Sequence, residues 1–92
     1  MINMRAIITV VGKDTVGILA KVSNICAQCN VNVMDVSQSI LQDMFCMIMM
    51  ADTSAATVEF SEFSDRLAKY GTENGLTIHT MHEDIFNSMH RI

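Results

Sequence analysis

The chain has 92 residues, half of them apolar, 17% charged, with a formal net charge of -4. A chain this short is read as one domain, residues 1–92, whose own core buries only about 60–65% of the unfolded surface. The acidic balance excludes a nucleic-acid binder built on a basic face, and no apolar run approaches the ~20 residues of a membrane-spanning helix.

Arg5 interrupts the first apolar stretch and no small-residue cleavage site follows it, so no signal peptide is expected. Cys26, Cys29 and Cys46 are an odd number of cysteines without a secretory pattern, which points away from a disulfide framework and towards the cytoplasm. The charged fraction is below the roughly 25% of an average soluble domain, so apolar surface is in excess. A second protein chain is its expected destination, giving a homodimer or larger homo-oligomer.

Met4 to Val11 is short and β-branched and stops at Gly12, the pattern of a strand buried on both faces. Gly12 to Gly17 reads as a loop. Ile18, Val22, Ile25 and Cys29 then recur at helical spacing with Leu19 and Cys26 beside them, and Asn30 marks the helix exit. Val31 to Leu41 alternates, with Val33, Asp35, Ser37 and Ser39 on one face and Met34, Val36, Gln38 and Ile40 on the other. Gln42-Asp43 turns the chain into Met44 to Ala51, so these two strands form an antiparallel hairpin. Thr57 to Tyr70 carries Val58, Phe60, Phe63, Leu67 and Tyr70 at helical spacing, with Gly71 and Gly75 bracketing its end. Leu76 to Glu83 is the last strand, and Ile85, Phe86, Met89 and Ile92 repeat as a short C-terminal helix.

The order is β-α-β-β-α-β plus a tail. It predicts an α+β, ferredoxin-like fold with a four-stranded antiparallel sheet and two helices on one face. The third strand is apolar on both sides, with Phe45, Met47 and Met49 against Met44, Cys46, Ile48 and Met50. Two helices cover one face. The other is expected to meet the C-terminal helix, a partner subunit, or both, and methionine suits such an adaptable surface.

The junction Val10-Val-Gly-Lys-Asp-Thr-Val-Gly17-Ile-Leu19 resembles the opening of an ACT domain, and Val31-Asn32-Val33 resembles the element that begins its second strand. The words Val11-Gly-Lys-Asp14, Asp35-Val-Ser-Gln38 and Ile85-Phe-Asn-Ser-Met-His-Arg-Ile92 make the chain similar to the stand-alone ACT proteins of the UPF0237 family, a group similar to the glycine cleavage system transcriptional repressor. The resemblance implies a regulatory module that binds a small metabolite such as an amino acid at a subunit interface and controls a partner protein. Val16 stands where amino-acid-binding ACT domains often carry proline.

On that resemblance the ligand contacts are Asp14, Thr15, Val16, Gly17 and Ile18 from the loop and helix start, with Asn32 and Val33 from the second strand. A helix start offers free N–H groups and a positive dipole end to a carboxylate. Asp14 can accept from an α-ammonium group, and Asn32 both donates and accepts. The plainer alternative makes Asp14 or Thr15 a helix cap and leaves Gly17 to permit tight helix–sheet packing. A pure protein-interaction module, working through the apolar sheet face and the tail from Ile85, is the rival function.

No catalytic residues, cofactor or metal are expected. Cys26-x-x-Cys29 lies near the end of a helix and continues its apolar stripe, so core packing outweighs a redox or metal role. A metallochaperone of this fold would hold its cysteines in the first loop, which has none. An acylphosphatase would want an arginine there, where Lys13 is the only cation, and an RNA binder would want aromatics on the central strands, where Phe45 is alone. His79 and His82 are three apart on a strand and point to opposite faces; only a folded-back tail would bring His82 and His90 together.

Overall fold

The computed structural model describes residues 5–13 and 16–89. Their elements run β1 (Arg5–Lys13), α1 (Ile18–Gln28), β2 (Asn32–Leu41), β3 (Met44–Asp52), α2 (Phe60–Glu73), β4 (Leu76–His82) and α3 (Glu83–Met89). The sheet order is β2-β3-β1-β4, and every neighbouring pair is antiparallel. This is the expected ferredoxin-like arrangement with its short C-terminal helix. Among the described residues no helix is long and apolar enough to cross a membrane.

One face of the sheet makes the core. Ile8 and Val10 of β1, Phe45, Met47, Met49 and Ala51 of β3, and Leu76 and Ile78 of β4 meet Ile18, Val22 and Cys26 of α1 and Phe63 and Leu67 of α2. Each fully buried large side chain contributes about 1.5–3 kcal/mol relative to exposure, so the alternate residues of the strands and the 3–4 spacing of the helices fix which face goes in.

Three local details differ from the sequence reading, each for a visible reason. First, β1 runs through Gly12 to Lys13. A Cβ on Gly12 would lie 2.6 Å from Leu76 Cδ2 and 2.9 Å from the Gly75 carbonyl, so glycine here permits close approach inside the sheet and does not end the strand.

Second, α2 begins at Phe60 and not at Thr57. The Thr57 N–H donates to the Cys29 carbonyl at 2.9 Å, and Glu59 is extended (φ -63, ψ 151) as the residue that caps the helix. The helix also runs past Gly71, where a Cβ would sit 2.8 Å from the Leu76 carbonyl oxygen. Gly75, at φ +71, is the glycine that follows the helix end.

Third, β2 carries an irregularity between Val33 and Asp35. Val33 pairs with Ala51 and Val36 with Met49, and both pack against the core. The strict alternation that separated these two valines is broken at Met34, which is left exposed.

The second sheet face is met by the C-terminal helix, one of the expected covers, over part of its area. α3 lies against β1 and β4, and Arg5 donates to Glu83 at 2.9 Å from Nε. Ile7, on this face, is 3% exposed. Further along the same face Val11, Met44 and Ile48 remain 42%, 44% and 47% exposed in the single chain.

The close approach at Gly71 has a direct consequence. Gly71→Ala should lower the thermal midpoint although alanine is the better helix former, because a methyl forced against a backbone carbonyl costs about 1–3 kcal/mol against a propensity gain of at most about 1 kcal/mol. A scanning calorimetry midpoint equal to or above wild type would refute this packing role.

Candidate ligand-binding site

The start of α1 is built on a backbone constraint. Gly17 caps the helix at φ 86, ψ 12, a left-handed conformation that favours glycine. A Cβ added there would meet nothing within 4 Å. The glycine therefore serves the turn and not tight packing. The first intrahelical bond is donated by the Lys21 N–H to the Gly17 carbonyl at 2.9 Å. The N–H groups of Ile18, Leu19 and Ala20 thus precede any intrahelical acceptor and mark the positive end of the helix dipole. Val16 is fully exposed, whereas the Ile18 side chain is buried, so Ile18 can offer a ligand only its backbone. Asp14 and Thr15 lie outside the described residues.

Asn32 and Val33 stand at the other end of α1. Val33 is committed to the core, and Asn32 is exposed opposite Asp52 of β3. A groove of about 310 Å³ opens here, lined by Ala27, Asn30, Asn32, Asp52 and Ser54. Asn30 is left-handed (φ 56) and donates from Nδ2 to the Ala55 carbonyl at 2.8 Å. The Ser54 N–H donates to Asp52 Oδ1 at 2.9 Å. Hydrogen bonds from the Ser54 backbone, then its side chain, hold the Asp52 carboxyl below its ordinary value of 3.8; burial opposes them, and Arg5 adds the smallest lowering contribution.

The expected contacts therefore form two groups. Val16, Gly17 and Ile18 adjoin one end of α1, while Asn32 and Val33 adjoin the other. An 11-residue helix separates them by about 16 Å at 1.5 Å per residue. A single chain does not bring the two groups onto one small ligand. The sequence reading also missed Asp52, Ser54 and Asn30, which share the groove with Asn32.

A larger cleft, of about 390 Å³, lies between the segment before α2 and the end of β4, lined by Thr53, Val58, Glu59, Phe60, Phe63 and His82 among others. It contains none of the expected contacts. The His82 ring stacks on Phe60 at 4.0 Å and 19°, while His79 is exposed on the opposite face. Size alone does not favour this cleft; the smaller groove holds the fixed carboxylate and the amides that polar recognition needs.

No group of three metal-ligating side chains occurs among the described residues, and His90 lies outside them. Cys26 and Cys29 are both buried in the core. Burial, and then the neighbouring Cys29, push the Cys26 thiol up to about 11, the opposite of what a reactive thiol needs.

The sequence profile of the ACT domain matches residues 5–81. A UPF0237 protein of Listeria monocytogenes is 49% identical over 89 residues, covering 97% of this chain and 100% of the relative. One from Methanocaldococcus jannaschii is 43% identical over 96% of this chain and 98% of its own. Among solved structures, an ACT domain protein from Streptococcus pneumoniae is 34% identical, superposes with a TM-score of 0.78 and covers 92% of this chain and 96% of that one. A chain assigned as a glycine cleavage system transcriptional repressor is 22% identical with a TM-score of 0.73, covering 83% of this chain and 43% of that one, a likeness of fold.

Two measurements follow from these environments. A thiol reagent applied to the folded protein near pH 8 should modify Cys46 first, with Cys26 and Cys29 reacting only on denaturation; equal rates at all three would contradict their burial. For Asp52, the lowered carboxyl makes a stabilising contribution that is complete above its ordinary value of 3.8 and is lost as pH falls below that through the lowered value. Asp52→Asn should therefore flatten the acid limb of stability below about pH 4, read as urea midpoint against pH; an unchanged limb would contradict the assignment.

Proposed function

Because the chain belongs to the ACT domain family, we propose that it acts as one regulatory module that binds a small metabolite, an amino acid, across the interface of a cytoplasmic homodimer and passes the signal to a partner protein. The module itself has no catalytic role. What supports the reading is that Val16–Ile18 and Asn32–Val33 adjoin opposite ends of α1, and that β2 is at the edge of the sheet formed by the described residues.

β2 is at the sheet edge, and its Leu41 end is level with Met44 and Lys13, next to the loop that enters α1. Antiparallel pairing of two such edges about a two-fold axis sets the Asn32 end of one chain against the Leu41 end of the other. Asn32 of one chain then approaches the helix start of the second, residues 16–18. A zwitterion placed there meets N–H groups and a positive dipole at its carboxylate, and Asp14 and Asn32 at its ammonium group. Two chains are needed, so ligand occupancy and assembly are linked. Such a ligand shifts the assembly only by its difference in affinity between the two states.

A second reading is favoured by the half-exposed Val11, Met44 and Ile48 on the open sheet face. There the chain is an assembly module without a ligand, and that face carries the contact.

Thermal unfolding of the purified protein against the proteinogenic amino acids separates the two. A ligand at one hundred times its dissociation constant adds about 2.7 kcal/mol, a rise of roughly 10–20 °C for a domain of this size. The expected result is such a rise with one amino acid, lost in Asp14→Ala and accompanied by tighter dimerisation in sedimentation velocity. No rise with any of them would favour the assembly module.

A further inference from the structure

We propose that Asp52, which no sequence motif picked out, sets the specificity of this module by receiving the primary ammonium group of the ligand in the groove it shares with Asn32. The inference rests on the reading of the chain as a binder of a zwitterionic metabolite, and it adds the residue that selects for the positive charge.

The groove has one electrostatic sign. It lies at the C-terminal end of α1, the negative end of the helix dipole. Asp52 faces Asn32 across the β2–β3 ladder and is the only charged residue lining the groove among the described residues; the rest are amide, hydroxyl and small apolar groups. The nearest cation in register, Arg5 opposite Asp52, is engaged by Glu83 at 2.8 Å from Nη2. A cationic group entering the groove therefore meets a carboxylate, two amides and a dipole that all favour it, and no lysine or arginine of the lining displaces it.

Geometry also leaves room on the carboxylate. Its Oδ1 accepts from the Ser54 N–H, which fixes the side chain's direction. An ionised carboxylate offers about four lone-pair sites, so acceptor capacity remains. The space, about 310 Å³, is at the small end of ligand pockets, which begin near about 300 Å³. It suits the polar head of an amino acid. In the dimer proposed above, the carboxylate of the same ligand reaches the start of the second chain's α1, so each end of the zwitterion meets a helix end of opposite sign.

The test uses the intact protein and two probes: the amino acid that most raises the wild-type midpoint, and its 2-hydroxy acid, which keeps the carboxylate and exchanges the ammonium group for a hydroxyl. Isothermal titration should show that wild type prefers the amino acid by about tenfold or more, as expected for a charge-assisted bond. Asp52→Asn keeps an acceptor for Ser54 N and should lose most of that preference by weakening the amino acid alone. Asp52→Glu, which keeps the charge, should recover part of it. Asp14→Asn is the comparison. A preference retained by Asp52→Asn, or lost only in Asp14→Asn, overturns the role of Asp52 and leaves the sensor reading standing. Equal wild-type affinity for the two probes overturns it likewise. Absence of binding by every amino acid overturns both. If Asp52→Asn lowers the unligated midpoint so far that titration fails, the comparison of the two probes on wild type and on Asp52→Glu still decides.

Discussion

Leu76 is the point at which β1, α2 and β4 close on one another without room for another atom. Gly12 of β1 faces its side chain, and Gly71 of α2 faces its carbonyl, each closer than a Cβ would allow. These contacts set the distance between helix layer and sheet. With that distance fixed, Phe63 and Leu67 reach the same core as Ile8, Val10 and Met49. The helix layer in turn positions the β3–α2 segment, because the Thr57 N–H and the Ala55 carbonyl are tied to Cys29 and Asn30 at the end of α1. The groove beside Asn32 is a product of that tie.

α1 then serves as a spacer. Its start presents backbone N–H groups behind a left-handed glycine, and its end presents a groove with a single carboxylate. Opposite ends of one helix carry opposite partial charges, so the two halves suit the two ends of a zwitterion but lie too far apart in one chain to share it. In the proposed dimer a second chain resolves that separation. The linkage between ligand binding and assembly that is proposed here follows from this distance and requires no conformational switch.

The open sheet face bears on the same question. α3 covers the Arg5–Ile7 end and is anchored by the Arg5–Glu83 pair, leaving Val11, Met44 and Ile48 partly exposed. For a chain with few charges this is where surplus apolar surface was placed.

Periodicity made the elements and their order legible, because burial on one side repeats every second residue in a strand and every third or fourth in a helix. The resemblance at Gly17 and Asn32 carried the family, and the comparisons agree with it. What remained hidden depended on contacts distant in sequence. Gly12 and Gly71 look like breaks, but their meaning is set by Leu76, a neighbour only after folding. Thr57 looks helical, yet its N–H is taken by Cys29. The hairpin turn at Gln42-Asp43 pairs Leu41 with Met44, and an unbroken ladder would carry that register to the far end; the irregularity at Met34 shifts it by one residue, puts Val33 and Val36 on the same face and sets Asn32 opposite Asp52. No local pattern announces such a shift, since its gain lies in packing both valines on the core. The sequence by itself determined the fold and the start of α1; only the tertiary structure decided that Asp52 stands beside Asn32, because strand register is a property of the assembled sheet.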